Sequence, residues 1–182
     1  MTGFGLNSHS MFTIHKDLDN DVPQQKYTDK EQFIGLTIGT EEFLLSILTI
    51  REIILLPEIA YVPNASDLIE GVINLRGTIL PAVSMRKMMG MPRPESIKSA
   101  RIVITKQENT SLGLIVDGIT TVISLMPKDI QTHNLPKSGS EGQFIGSICK
   151  LHTKVKGIID LNKVMTRLQP ATPSAVPEKT SA

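Results

Sequence analysis

Tryptophan is absent from this 182-residue chain, and only five phenylalanines and two tyrosines are present. Aromatic platforms of the kind that stack single-stranded nucleic acid are therefore hard to assemble. Charge of one sign is lacking too: 19 Lys+Arg against 18 Asp+Glu leave a formal charge of +1, which gives no reason to expect a polyanionic partner. A single cysteine, Cys149, excludes an intramolecular disulfide and suits a reducing compartment. No apolar run approaches the roughly 18 to 20 residues that span a bilayer, and Met1 to Asp17 lacks the pattern of a secretory signal. The expected setting is the cytoplasm, with no nucleic-acid partner and no direct membrane insertion.

Catalytic and ligand-binding signatures are missing as well. The sequence carries no phosphate-binding glycine loop, metalloprotease helix, Walker sequence or nucleophile elbow. His9, His15, His133 and His152 are scattered and, with the lone Cys149, do not have metal-ligand spacing. Each reads as a solvated histidine. No cofactor, metal or catalytic residue is expected, and a hydrolase pairing a serine with one of these histidines finds no support.

What the chain does contain is an apolar content of 40% against 20% charged residues, enough for a real core. Residues 1–31 are polar and without period, reading as a mobile arm. The tail from 169 to 182, with Pro170, Pro173 and Pro177, reads as disordered. Between them, short runs rich in Ile, Val and Leu recur among Gly, Pro, Asn and Asp breakers, the pattern of a mainly β protein. Ten strands are expected: Phe33–Ile38, Phe43–Ile47, Ile53–Leu56, Gly71–Leu75, Thr78–Val83, Arg101–Thr105, Leu112–Val116, Thr121–Leu125, Phe144–Cys149 and Val155–Ile159.

Two helices stand out. Ser84 can cap one with Met85, Met88 and Met89 on one face, and Asp160 can cap another with Leu161, Val164, Met165 and Leu168 on one face. The methionines could form an adaptable binding surface, but their helical spacing favours core packing. Asp117-Gly118, lying between two strand runs, reads as a two-residue hairpin turn.

The chain also repeats itself weakly. Gly146, Ile148, Ile159, Asp160, Leu161, Lys163 and Met165 can be laid on Gly71, Ile73, Val83, Ser84, Met85, Lys87 and Met89 with one inserted residue. Upstream, Ile50, Ile53 and Leu56-Pro57 match Thr120, Ile123 and Met126-Pro127. This suggests two half-size units meeting near residue 95, as two barrels of about five strands that share an apolar interface.

One polar interruption carries more information than the rest. In Gly71-Val72-Ile73-Asn74-Leu75-Arg76-Gly77-Thr78, the chain must turn at Asn74 to Gly77 and hold a guanidinium at the surface. That arginine is either a solvated turn residue or a contact for a partner. Arg51 and Glu52, between Ile50 and Ile53, have the look of a solvated strand face.

Taken together, the Phe33 to Gly39 strand, Ile50-Arg51-Glu52-Ile53, Gly71 through Gly77, Leu80-Pro81, Arg86, Gly113 through Asp117 and the Gly146 to Met165 segment resemble the CheW family of chemotaxis coupling proteins. The resemblance runs in order over residues 32–168. It implies two intertwined five-stranded SH3-like β-barrels with short helices. It also implies a non-enzymatic adaptor in two-component signal transduction, joining the cytoplasmic hairpin tip of a chemoreceptor to the regulatory domain of the histidine kinase CheA.

By the same resemblance, Ile50, Arg51, Glu52 and Ile53 fall at the kinase-binding edge. Gly71, Asn74, Leu75, Arg76, Gly77, Leu114 and Val116 fall at the receptor-binding face. The adaptor would be cytoplasmic and recruited to membrane-associated receptor arrays. Coupling proteins of twitching or gliding pathways share the fold and are an alternative, as, further off, is a small barrel binding an oligonucleotide or sugar. Ser84 departs from the acidic residue common before the first helix in the family, yet keeps the helix cap.

Overall fold

Runs of β-branched residues crowd the side-chain torsion in helices and fit the pleated surface of a sheet, and most of this chain's apolar runs become strands. The computed structural model describes residues 30–94, 96, 98–132, 141–151 and 153–168. The expected arm and tail, and all four histidines, lie outside the described residues apart from Lys30 and Glu31. Within them the chain forms β1 (Glu31–Ile38), β2 (Glu41–Ser46), β3 (Ile50–Leu55), β4 (Ile69–Leu75), β5 (Thr78–Ser84), α1 (Met85–Met88), β6 (Arg101–Gln107), β7 (Thr110–Val116), β8 (Gly118–Leu125), β9 (Ile130–Gln131), β10 (Ile145–Leu151), β11 (Lys154–Ile159) and α2 (Leu161–Leu168). All ten expected strands are present. The addition is β9, whose two residues are too few to show a period.

The strands form two sheets with orders β8-β1-β2-β11-β10-β9 and β3-β6-β7-β5-β4, six and five strands in place of five and five. Both sheets have one plan. An antiparallel hairpin, β1-β2 or β6-β7, is flanked on one side by the strand β8 or β3, and on the other by a parallel neighbour, β11 or β5. Each hairpin therefore comes from one sequence repeat, and the other strands of its sheet come from the other. Residue 95 lies between β5 and β6, which share a sheet, so the boundary expected there divides the repeats and not the barrels. The isolated bridge of Ala60 to Val72 on β4 is the counterpart of β9 on β10.

Three apolar clusters follow from this exchange. Phe33, Leu44, Leu125, Cys149 and Ile158 pack within the six-stranded sheet, and Ile73, Leu80, Ala82, Ile102 and Ile104 within the five-stranded one. The largest cluster lies between the sheets, where Leu36, Phe43 and Leu45 meet Val103, Leu114 and Val116, with Phe144 and Val164. Met85 and Met88 are fully buried there, so the methionine stripe is core. Ser84 caps α1, its Oγ accepting the Lys87 amide at 3.2 Å. Asp160 does the same before α2 through the Asn162 amide at 2.9 Å.

Asp117 departs from the hairpin expected of it. β7 and β8 belong to different sheets, and the chain crosses between them at this residue. Its carboxylate accepts the Gly39 amide at 2.6 Å and Arg86 Nε at 2.8 Å, while its own amide donates to Thr37 at 3.0 Å. The crossing is fixed by charge-assisted hydrogen bonds, which a hairpin would not need.

Candidate partner-binding site

Strands β4 and β5 are joined by Arg76 and Gly77 alone, with Leu75 paired to Thr78. Arg76 has φ of +52° and Gly77 +86°, so both central residues are left-handed, as a turn matching the sheet twist requires. Asn or Gly usually takes the first of these positions; an arginine there bears a steric cost. Asn74 Oδ1 accepts the Gly77 amide at 2.8 Å, tying the turn from below. The result is a rigid tip with the Arg76 side chain 76% exposed.

That guanidinium does not stand alone. Arg76 donates to both oxygens of Glu52, at 3.0 and 3.4 Å, in the fork geometry that suits guanidinium and carboxylate. Glu52 belongs to β3 and Arg76 to the tip of β4, the two end strands of the five-stranded order, so the pair spans from one edge of the sheet to the other. Below it, Ala60 and Val72 exchange backbone hydrogen bonds of 2.9 and 2.8 Å. The barrel is closed at this seam by a short bridge and an ion pair.

The edge itself is mixed. Ile50 and Ile53 turn inward against the shared core, helped by an irregularity in the register between Ile50 and Glu52, while Arg51 is exposed. Leu55 and Leu48 are strongly exposed near the two ends of the strand, as is Ile79 on β5 opposite Asn74. Apolar side chains beside a fork-paired arginine are common features of protein-binding surfaces.

Several residues expected at a receptor face serve the fold. Leu114 and Val116 are 0% and 1% exposed in the shared core and offer no surface to a partner. A Cβ on Gly71 would run into the Ala60 carbonyl and the Ile59 side chain, so this glycine lets the closing segment approach. Leu75 packs against the barrel interior. The structure thus brings Asn74, Arg76, Gly77 and Glu52 together, leaves Arg51 exposed next to Glu52 in the chain, and keeps Leu114, Val116 and Gly71 out of this region.

Elsewhere, two charged clusters escaped sequence reading because their members are remote in the chain. Glu42 on β2 pairs with Lys156 on β11 at 2.8 Å and accepts the Thr120 hydroxyl of β8 at 2.6 Å; these two hydrogen bonds hold its carboxyl below the ordinary range. Glu70 receives both Lys87 and Arg93, at 3.2 and 3.1 Å. Burial pushes the Cys149 thiol up, away from reactive thiolate. Among the described residues, no group of three potential ligands could hold a metal ion, and no helix is long and apolar enough to cross a membrane.

Two interlocked small barrels, the five-stranded one closed by the Arg76–Glu52 pair, place the molecule in the SH3-like double-barrel class. The chain belongs to the family of the CheW-like domain, whose model matches residues 32–169. It is 30% identical to the chemotaxis protein CheW of Helicobacter pylori over 120 residues, covering 66% of this chain and 73% of that protein. With the CheW of Bacillus subtilis it shares 28% identity over 149 residues, 82% of this chain and 94% of that one. The crystal structure of the scaffolding protein TtCheW from Thermoanaerobacter tengcongensis superposes with a TM-score of 0.66 at 27% identity, covering 72% of this chain and 89% of that one. Fold and relatives together make it a scaffold or coupling protein of chemotaxis.

Proposed function

We propose that this chain is a non-enzymatic adaptor that couples the cytoplasmic hairpin tip of a chemoreceptor to the regulatory domain of the histidine kinase CheA. In this reading the β3 edge meets the kinase through Arg51 and Glu52, with Ile50 and Ile53 holding that edge against the core. The β4–β5 tip, through Asn74, Arg76 and Gly77, meets the receptor. The protein is cytoplasmic and reaches the membrane only through the receptor array. Its contribution is positional, since holding two proteins in one register raises the effective concentration of each for the other.

The observation that carries this reading is the conformation of Arg76. A long charged side chain occupies a left-handed turn position that Asn or Gly would fill at lower cost, and it remains 76% exposed. Its one contact within the fold is an exposed ion pair with Glu52, worth little to stability, and strain accepted for so small a return supports use of the side chain on a partner.

The test is a paired measurement on Arg76→Ala with the isolated receptor tip and the isolated kinase regulatory domain. Receptor affinity is expected to fall roughly thirtyfold, about 2 kcal/mol, as for a central contact. Kinase affinity is expected to change far less. Unchanged receptor binding in a stably folded variant would remove the tip from the interface.

A further inference from the structure

The repeat that builds two barrels also builds two clefts beside the helices, and they differ in charge. One, between α2 and the six-stranded sheet, includes Asp160 and Glu31, with no Lys or Arg among its described lining residues. The other, beside α1, is a cleft of about 390 Å³ and carries Arg86, Lys87 and Arg93 against Glu70 and Asp117. Its apolar walls are Leu56, Ile59, Met91 and Ile115. The single Glu70 carboxylate serves two cations, leaving one positive charge in excess at the mouth, where Arg93 is 80% exposed. A cleft of this size, with apolar walls and an uncompensated cation, is suited to an acidic segment with apolar residues beside its carboxylates.

We propose that the cleft beside α1 receives the chain's own segment Asp17-Leu18-Asp19-Asn20-Asp21. Residues 17–25 hold three carboxylates and no cation, with Leu18 and Val22 as apolar companions. The connection is long enough. The cleft includes Asp117, which binds the Gly39 amide just beyond the far end of β1, so it lies about one eight-residue strand, roughly 25 Å, from Glu31. About ten Cα-to-Cα steps run from Asp21 to Glu31 and reach roughly 33 Å when extended.

Tethering makes weak contacts sufficient. A connection of about this length gives an effective concentration on the order of 1 mM, so an intrinsic affinity in that range already fills the cleft half of the time. The proposal is independent of the receptor and kinase surfaces, because it uses neither Glu52 nor Arg76.

The experiment uses the full chain with a nitroxide label on Asn20→Cys; the buried Cys149 thiol stays unlabelled. Paramagnetic broadening of backbone amides is read by NMR at low salt and at about 0.5 M salt, where the screening length is only a few ångströms. Amides of residues 86–93 are expected to lose at least half their intensity at low salt and to regain it at high salt. They are also expected to regain it in Arg93→Glu and in the triple variant Asp17→Asn, Asp19→Asn, Asp21→Asn. Broadening that is absent, centred on Glu31 and Asp160, or unchanged in the triple variant would overturn the proposal. So would a triple variant whose cleft responds to an added acidic peptide when the native arm produces no broadening, since the cleft would then belong to a partner.

Discussion

Arg76 and Glu52 form a two-point ion pair across the seam of the five-stranded barrel, with the guanidinium in solvent and the carboxylate largely covered. The two surfaces proposed for receptor and kinase therefore touch. An exposed pair of this kind contributes only about 0.2–1 kcal/mol to stability, because solvent screens it and ordering the arginine costs entropy. Its value for function is different, since any partner that takes Arg76 releases Glu52.

Glu52→Lys should consequently disturb both surfaces and not the kinase edge alone. A lysine opposite Arg76 expels the guanidinium from its seat, so receptor affinity is expected to fall along with kinase affinity. With Arg76 already replaced by Ala, the same Glu52→Lys change should weaken receptor binding little further, because the guanidinium it would displace is gone. A double-mutant cycle on receptor binding reads this coupling directly, and strictly additive effects would mean that the pair does not link the two surfaces.

Two glycines on the same hairpin both have positive φ, +153° at Gly71 and +86° at Gly77, and differ in the room around them. Gly77 has open space where a Cβ would go, and only its φ of +86° opposes substitution, so Gly77→Ala should cost about 1 kcal/mol. Gly71 faces the Ala60 carbonyl, and Gly71→Ala must displace the closing bridge at a cost of about 2–4 kcal/mol. Urea midpoints of the two variants check the order; equal losses would show that the Ala60 segment yields freely.

Much of the architecture could be read from the chain because it rests on local pattern. Alternating apolar runs disclosed the strands, Ser84 and Asp160 disclosed the helix starts, and the spacing of Met85, Met88 and Met89 disclosed a buried face. What escaped depends on pairings across long separations. The Asp117-Gly118 dipeptide has hairpin composition, yet the strands around it enter different sheets, a decision made by exchange between repeats. Glu52 and Arg76, 24 residues apart, carry no mark of being partners. Leu114 and Val116 alternate with neighbours as any half-buried strand does, and only packing on both sides of β7 reveals that they have no free face.

Asp117 is expected to be the most sensitive polar position among these. Its carboxylate holds the Gly39 amide, and both its oxygens face Arg86 Nε, where the two sheets exchange the chain. Asp117→Ala leaves a half-buried guanidinium and a backbone donor short of partners, at an expected cost of about 2–4 kcal/mol. Asp117→Asn keeps the shape and an acceptor and should lose less. Chemical denaturation of both variants measures the difference; a neutral Asp117→Ala would show that the crossing is fixed by the apolar core alone.

The Glu42 cluster sets an acid limit. Lys156 and Thr120 hydrogen-bond its ionised form and hold its folded-state pKa below the ordinary value of 4.5. A depressed carboxyl pKa means that the folded state releases this proton more readily than the unfolded chain does. The contribution is thus complete above the unfolded pKa and is lost as pH falls through the lower, folded value. Neutral pH leaves it intact, and weakly alkaline pH adds nothing. Glu42→Gln removes the titration, so wild type should be the more stable protein at pH 7 and the gap should narrow steadily below about pH 4.5. Lys156 is then left facing a neutral amide, and Lys156→Met in the Glu42→Gln background should recover part of the loss by removing a charge whose side chain is only 14% exposed. Urea denaturation of wild type and variants at pH 7, 5, 4 and 3 tests both statements, and a stability gap independent of pH would show that Glu42 acts through packing and not through its charge.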